Sequence, residues 1–319
     1  MNYTDLSTYD LDVGNKHSIY DAAEDVAGLK LLFVNIYFIG SPNRWVLVDA
    51  GLPGFAGKIK AFAEDRFGKN SKPEGIVLTH GHFDHVGALE KLLEFWNVPV
   101  YAHTLELPYL TGLSNYPPPD PAIGGGAMSY LSWLFPIKPL KLKSKIIELR
   151  EGTFIPDLPD WKVIHTPGHS PGHISLFRGS DGVLIAGDAF VTVDQNSASD
   201  VITQKQELHG PPAYFTCDWK AAHKSVYKLK LLEPNVAACG HGIPMKGYEL
   251  KYDLHELSEN FKKLSIPSNG RYVKQAARTN EKGIIEMPVP VSFYMARIIA
   301  LTLLTSMVSF AVYKYLNKK

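Results

Sequence analysis

Between residues 78 and 90 the chain reads LTHGHFDHVGALE, which places His80, His82 and His85 beside the carboxylate of Asp84. Neutral imidazoles and carboxylates are the standard ligands of borderline metals such as zinc, and they are costly to bury with no partner. A chance H-x-H-x-D-H turns up in roughly one sequence of this length in a thousand, so the cluster calls for a metal. One short loop does not complete a zinc site, which takes three or four protein ligands. Three later stretches offer more. HTPGHSPGH (165–173) puts His169 on a tight turn, LIAGDAF sets Asp188 at a strand end, and ACGHGIP does the same for His241. In each, a strand gives way to glycine, which lets backbone and side chain approach an ion closely.

The elements that must carry these residues follow from hydrophobic periodicity. LKLLFVNIYFIG and RWVLVDAG are strand-like runs separated by the turn signal Ser41-Pro42-Asn43. Phe55, Ile59, Phe62 and Phe67 recur at helical spacing, GIVLTH is a short buried strand, and Val86, Leu89, Leu92 and Leu93 predict another helix. The histidine cluster therefore lies in a strand-to-helix loop, at the carboxyl end of a strand, where open α/β sheets place their ligands. VPVYAH, KIIELR, WKVIHT, HISLFRG, GVLIAGD and NVAACG are further strand candidates. Trp219, Ala222, Val226 and Leu229 suggest a helix, and residues 251–264 suggest the last helix of the domain. Residues 109–137, rich in Pro, Gly and aromatics, are long for a plain connection. They are expected to form a lid over the site, with Met128, Tyr130, Trp133, Leu134 and Phe135 as its apolar cover; the alternative is a surface insertion.

On these residues the chain resembles the metallo-β-lactamase-fold superfamily over residues 28–264. The superfamily's H-x-H-x-D-H signature stands here as His80, His82, Asp84 and His85. Its third histidine matches His169, its bridging aspartate Asp188 and its final histidine His241. Asp49 in LVDAG matches a buried carboxylate that steadies the histidine loop. The resemblance implies an α/β fold, an αββα sandwich of two mixed β-sheets covered by helices, with metals at one edge. It also implies one metal on His80, His82 and His169 and a second on Asp84, His85 and His241, with Asp188 and a water or hydroxide bridging both. Two Zn2+ ions would lower the pKa of the shared water towards neutrality and polarise a carbonyl. Asp84 would be catalytic, ligating a metal and orienting the nucleophile, and Asp49 would fix a histidine tautomer. The expected activity is hydrolysis of a small-molecule lactone, ester or thioester; if the C-terminal tail is membrane-bound, the apolar cover would face lipid-like substrates with a lipophilic acyl group. Two alternatives stand beside it: a persulfide dioxygenase of the same fold using one Fe2+ on His80, His82 and His169, and a non-catalytic metal-binding module.

Departures from individual subfamilies narrow the reading. The best-known zinc β-lactamases carry a cysteine where this chain has Asp188, which argues against antibiotic hydrolysis. Diiron flavoproteins have a glutamate in place of His82. Acyl-homoserine lactonases place a tyrosine where Val191 stands, and type II glyoxalases add a basic helical domain with no clear equivalent in residues 242–290.

Composition sets the remaining bounds. A net charge of +1, without a basic arm, argues against a nucleic-acid partner. Two cysteines, Cys217 and Cys239, are too few for a disulfide framework and suit a reducing compartment. Cys239 reads as an inert core thiol, and Cys217 has no activating partner. His17, His209, His223 and His255 are isolated, His103 reads as structural, and His165 and His173 as groups that orient backbone. Residues 1–265 are expected to form the catalytic domain, 266–290 a polar linker and 291–316 an apolar C-terminal helix. That tail carries only Arg297 and Lys314 as charges. It is expected to anchor the protein in a membrane as a single span, with Arg297 snorkelling to the interface. The alternative is a helix packed on the domain or lying on a membrane surface. The polar, acidic N-terminus lacks the features of a secretory signal, so the catalytic domain is expected in the cytosol.

Overall fold

A computed structural model describes residues 19–142 and 146–291 together with Thr302, Thr305, Ser306 and Ser309. Its first sheet runs in sequence order: β1 (Ile19–Ala23), β2 (Val26–Leu31), β3 (Val34–Ser41), β4 (Arg44–Val48), β5 (Ile76–Val77), β6 (Val100–His103) and β7 (Ile146–Leu149). Strands β1 to β4 meander antiparallel, whereas β4 to β7 are parallel neighbours. The second sheet consists of β8 (Phe154–Ile155), β9 (Leu158–His165), β10 (Ile174–Arg178), β11 (Val183–Gly187), β12 (Val236–Cys239) and β13 (Met245–Lys246). Its spatial order is β13-β12-β11-β10-β9-β8, with β11 and β12 parallel and all other pairs antiparallel.

Alternation along the strands builds three apolar layers, because successive side chains leave a strand on opposite faces. In β3 and β4, Val34, Ile36, Phe38, Trp45 and Leu47 pack under the helices Ala56–Phe67 and Leu89–Trp96. The intervening Tyr37, Ile39, Val46 and Val48 instead meet Trp161, Val163, Leu176 and Ile185 of the second sheet. Leu184, Ala186 and Ala237 face outward again, against Val226 and Leu229 of the helix Trp219–Lys230 and Leu250, Leu254 and Leu257 of Gly247–Glu259. The result is the expected αββα sandwich of two mixed sheets covered by helices.

Two stretches differ in detail from the sequence reading. The run LKLLFVNIYFIG is not continuous: Leu32, at φ 61°, turns the chain between β2 and β3, with none of the Gly or Asn that usually marks a left-handed position. Residues 266–290 hold a hairpin, β14 (Arg278–Asn280) with β15 (Gly283–Glu286), and Tyr272 is buried with its hydroxyl donating to the Pro118 carbonyl at 2.7 Å. Ile266, Val273, Ala277 and Met287 pack against the outer core of the second sheet.

The membrane-spanning tail is corrected. Among the described residues no helix is long and apolar enough to cross a membrane. The uncharged core Ile298 to Tyr313 has 16 residues. As a helix it would extend about 24 Å, short of the ~30 Å hydrocarbon layer. Thr302, Thr305, Ser306 and Ser309 are helical and exposed; residues 292–301 and the rest of the tail lie outside the described residues, as does His17.

Candidate metal centre

The ends of the two sheets converge on one edge. His80 and His82 follow β5, His169 follows β9, Asp188 follows β11 directly, and His241 lies just past β12. Asp49, at the end of β4, sits in a left-handed conformation (φ 63°), and its amide donates to the Val77 carbonyl at 2.8 Å. The amides of His85 and Val86 donate to the His82 carbonyl at 2.9 and 3.1 Å, closing the short helix Phe83–Val86 that turns Asp84 and His85 back into the site. A further bond, 2.6 Å from the Ala50 amide to the His85 carbonyl, locks that turn to the end of β4.

All seven residues singled out from sequence meet. His80, His82 and His169 offer ligand atoms within 4.8 Å of one another, and so do Asp84, His85 and His241, as well as His80, His85 and Asp188. Oδ2 of Asp188 lies 3.1 Å from Nε2 of His241, 3.4 Å from Nε2 of His169 and 3.6 Å from Nε2 of His85. One carboxylate oxygen is thus shared between the two trios. Asp84 Oδ2 sits 3.6 Å from His241 Nε2 and 3.9 Å from His85 Nε2. Gly240 leaves room for this arrangement, since a Cβ there would run into Oδ1 of Asp188 and lie 2.8 Å from Cε1 of His85.

The residues fit metal ions. Nε2 of His80, Nε2 of His85 and Oδ1 of Asp188 are buried with no hydrogen-bond partner. Such orphans cost about 1–3 kcal/mol each unless something binds them. Their opposite edges are held. Nδ1 of His85 donates to Asp49 Oδ2 (2.9 Å), and Nδ1 of His241 donates to the Phe33 carbonyl (2.7 Å). Both partners only accept, which assigns the proton to Nδ1 and leaves the Nε2 lone pair for an ion. Asp49 also accepts from the Thr79 amide and hydroxyl, each at 2.7 Å, and Thr79 Oγ1 lies 3.1 Å from Nδ1 of His80. A single buried carboxylate therefore orients two of the imidazoles.

Charge divides the site. Burial, reinforced by the neighbouring histidines, holds His80 and His82 well below the usual imidazole range and pushes His169 down to about 4. That trio is neutral at pH 7 and open to a metal without proton competition. At His85 burial acts downward, but Asp188, Asp84 and Asp49 outweigh it and raise the imidazole; Asp188 does the same for His241. Asp188 is itself held well below the carboxylate range, His241 and His85 overcoming its burial, whereas burial raises Asp84.

Other residues at the site were not visible in the sequence. Phe215 stacks on His82 (4.3 Å between centroids, 24° between planes). Glu106 accepts hydrogen bonds from both histidine loops. His173, expected to orient backbone, accepts the Asp188 amide at 2.8 Å, and His165 bonds the Pro171 carbonyl at 3.0 Å. Of the expected lid, Phe135 lies 5.5 Å from Phe83, 5.9 Å from Phe215 and 5.7 Å from Tyr214. Trp133 is 45% exposed, and Tyr130 is half-buried; among the described residues neither has a ring contact with this wall. His103 stacks on His165, and Cys217 and Cys239 are buried thiols whose burial raises their pKa.

Residues 29–241 match the family model of the Metallo-beta-lactamase superfamily, and the chain belongs to that superfamily. Its fold and its His/Asp clusters are those of a metal-binding hydrolase of this class. The chain is 50% identical over 242 residues to the probable metallo-hydrolase YflN of Bacillus subtilis, a match covering 75% of this chain and 92% of that protein. It is 30% identical over 210 residues to the probable metallo-hydrolase YybB of the same organism, covering 66% and 80% respectively. A beta-lactamase domain protein from Burkholderia ambifaria shares the fold, with a TM-score of 0.53, 21% identity and 76% of each chain covered.

Proposed function

We propose that this chain is a dinuclear metallo-hydrolase, loaded with zinc, that cleaves a small-molecule lactone, ester or thioester carrying an apolar acyl group. The observation that supports it most is the shared oxygen of Asp188 between two trios of ligand atoms. His80, His82 and His169 would hold one ion, and Asp84, His85 and His241 the other. Bound there, the ions would bring the pKa of a water towards neutrality and polarise the scissile carbonyl.

The chain's own groups do the rest. Asp49 and the Phe33 carbonyl keep the imidazole protons on Nδ1, so the ligand edges stay free. Water adds to the acyl carbon and the bond to the alcohol oxygen or thiol sulfur breaks. Asp84 orients the incoming water, takes its proton and returns it to the leaving atom. Phe83, Phe135, Tyr214 and Phe215 form an aromatic wall beside His82, which suits an apolar acyl chain and excludes water from it.

Metal content by mass spectrometry, on full-length protein expressed without added metal, tests the reading together with a screen of acyl substrates graded by chain length. Two zinc ions per chain and turnover of esters, lactones or thioesters are expected. One iron per chain with oxygen uptake on persulfides would overturn it in favour of a dioxygenase. The wall makes its own prediction. Phe135→Ala is expected to lower kcat/KM for long acyl chains about tenfold more than for short ones, the scale of losing one buried aromatic contact. Equal losses on both would remove Phe135 from the acyl pocket.

A further inference from the structure

Asp49 accounts for the orientation of His85 and His80, but nothing so far fixes the loops that carry His82 and His169. The only carboxylate joining those two loops, among the described residues, is Glu106. It lies in the 3-10 turn Thr104–Glu106 that follows β6 and is fully buried. Its two oxygens divide their work. Oε2 accepts the Gly81 amide at 3.0 Å, between His80 and His82, and also the Tyr116 hydroxyl. Oε1 accepts the Gly172 amide at 2.8 Å and the Ser170 hydroxyl at 2.8 Å, beside His169. The Tyr116 ring in turn rests 4.7 Å from that of His82.

We propose that Glu106 is the positioning residue for one metal position, tying the Gly81 and Ser170–Gly172 loops together so that His80, His82 and His169 converge. The inference rests on the metal reading above and goes beyond it in separating the two positions. Asp49 orients His85 and, through Thr79, His80, whereas Glu106 holds the His82 and His169 loops, both on the all-histidine side, so damage at Glu106 falls on that side. The chemistry of the contact makes glutamine a poor substitute. Each oxygen faces a backbone amide, which can only donate, and a glutamine would turn its own NH2 towards one of them. One loop would lose its anchor while the side chain kept its size. A group of this kind, acting behind the ligands, contributes about 10–100-fold in metal affinity.

The test is a cobalt(II) titration of the full chain followed by its d–d absorption, with His82→Ala identifying which binding step belongs to the all-histidine position. In Glu106→Gln that step is expected to weaken about 10–100-fold and its absorption band to change shape, while the other step moves by less than about threefold. Circular dichroism checks that the fold persists. If Glu106→Gln does not fold, Ser170→Ala deletes one of the four donors and is expected to weaken the same step several-fold. Equal weakening of both steps, or of neither, would overturn the proposal and leave the metal reading intact. Wild-type protein that takes up no cobalt would overturn both.

Discussion

Asp188→Asn is expected to reduce the metal bound to one ion or less and to lower kcat/KM by at least about 10^3, while leaving the fold in place. The substitution keeps the size and shape of the side chain and removes its charge. Three consequences follow from the geometry. The oxygen that lies within 3.1 to 3.6 Å of His241, His169 and His85 becomes a neutral amide atom, a far weaker ligand for a divalent ion. Two ions held close together then lose the negative charge between them. His85 and His241, whose imidazoles Asp188 keeps raised, move back down, so the unloaded site in the variant carries less charge of either sign. That last effect protects the fold, because it avoids stranding buried imidazolium without a counter-charge. A loss of two-metal activation removes several kcal/mol of transition-state stabilisation, of which about 4 kcal/mol corresponds to 10^3. Metal analysis, circular dichroism and hydrolysis assays on the same preparation check all parts at once. Two ions per chain and activity within tenfold of wild type would show that Asp188 does not bridge.

The candidate ligands and the groups that support them differ in how they are written in the chain. His80, His82, Asp84 and His85 are adjacent, and a rare cluster of residue types is legible as such. His169, Asp188 and His241 add the second cue, a chemically active residue beside glycine at a strand end. The apolar runs of β3, β4 and β11 and the helical spacing of Phe55, Ile59 and Phe62 were equally legible, because such patterns are local, whereas the pairing of the strands into two sheets followed only from the resemblance. Glu106 carries no such mark. Its partners lie 25 positions before it and 66 after it, and two of them are backbone amides, for which the chain has no letter. Phe215 was hidden for a related reason: only the fold brings an aromatic from the loop before the helix Trp219–Lys230 onto His82. Leu32 shows the opposite failure. An apolar residue there makes the run across β2 and β3 look continuous, yet it is 63% exposed on the turn between them.

Removing the metals is expected to lower the melting temperature by about 10 °C at neutral pH, and by less as the solution is acidified and protons displace the ions. A single ion present at 1,000 times its dissociation constant stabilises the native state by about 4 kcal/mol, and each kcal/mol moves the midpoint of a domain of this scale by roughly 2–4 °C. The pH term has a definite sign. His80, His82, His169 and His173 have lowered pKa values in the fold, and His169 stands at about 4, whereas the unfolded chain takes up these protons near pH 6.5. Below pH 6.5 the unfolded state therefore binds more protons, and stability falls with pH until the folded values are reached. His85 and His241 work the other way: their raised values favour the fold in acid and lose that contribution as pH rises through them. His103, also lowered to about 4, and His165 act in the same sense, so six histidines oppose two and the metal-free protein is expected to melt progressively earlier from pH 6.5 down to about 4. Bound metal removes the opposing pair as well, since His85 and His241 must shed their protons to ligate. Loaded protein should then hold a flat melting temperature above pH 7 and fall steeply in acid, converging on the metal-free curve once protons displace the ions. Scanning calorimetry with and without dipicolinate across this range reads both curves. Two curves that superimpose at pH 7.5 would mean that the seven side chains hold no ion that matters to the fold.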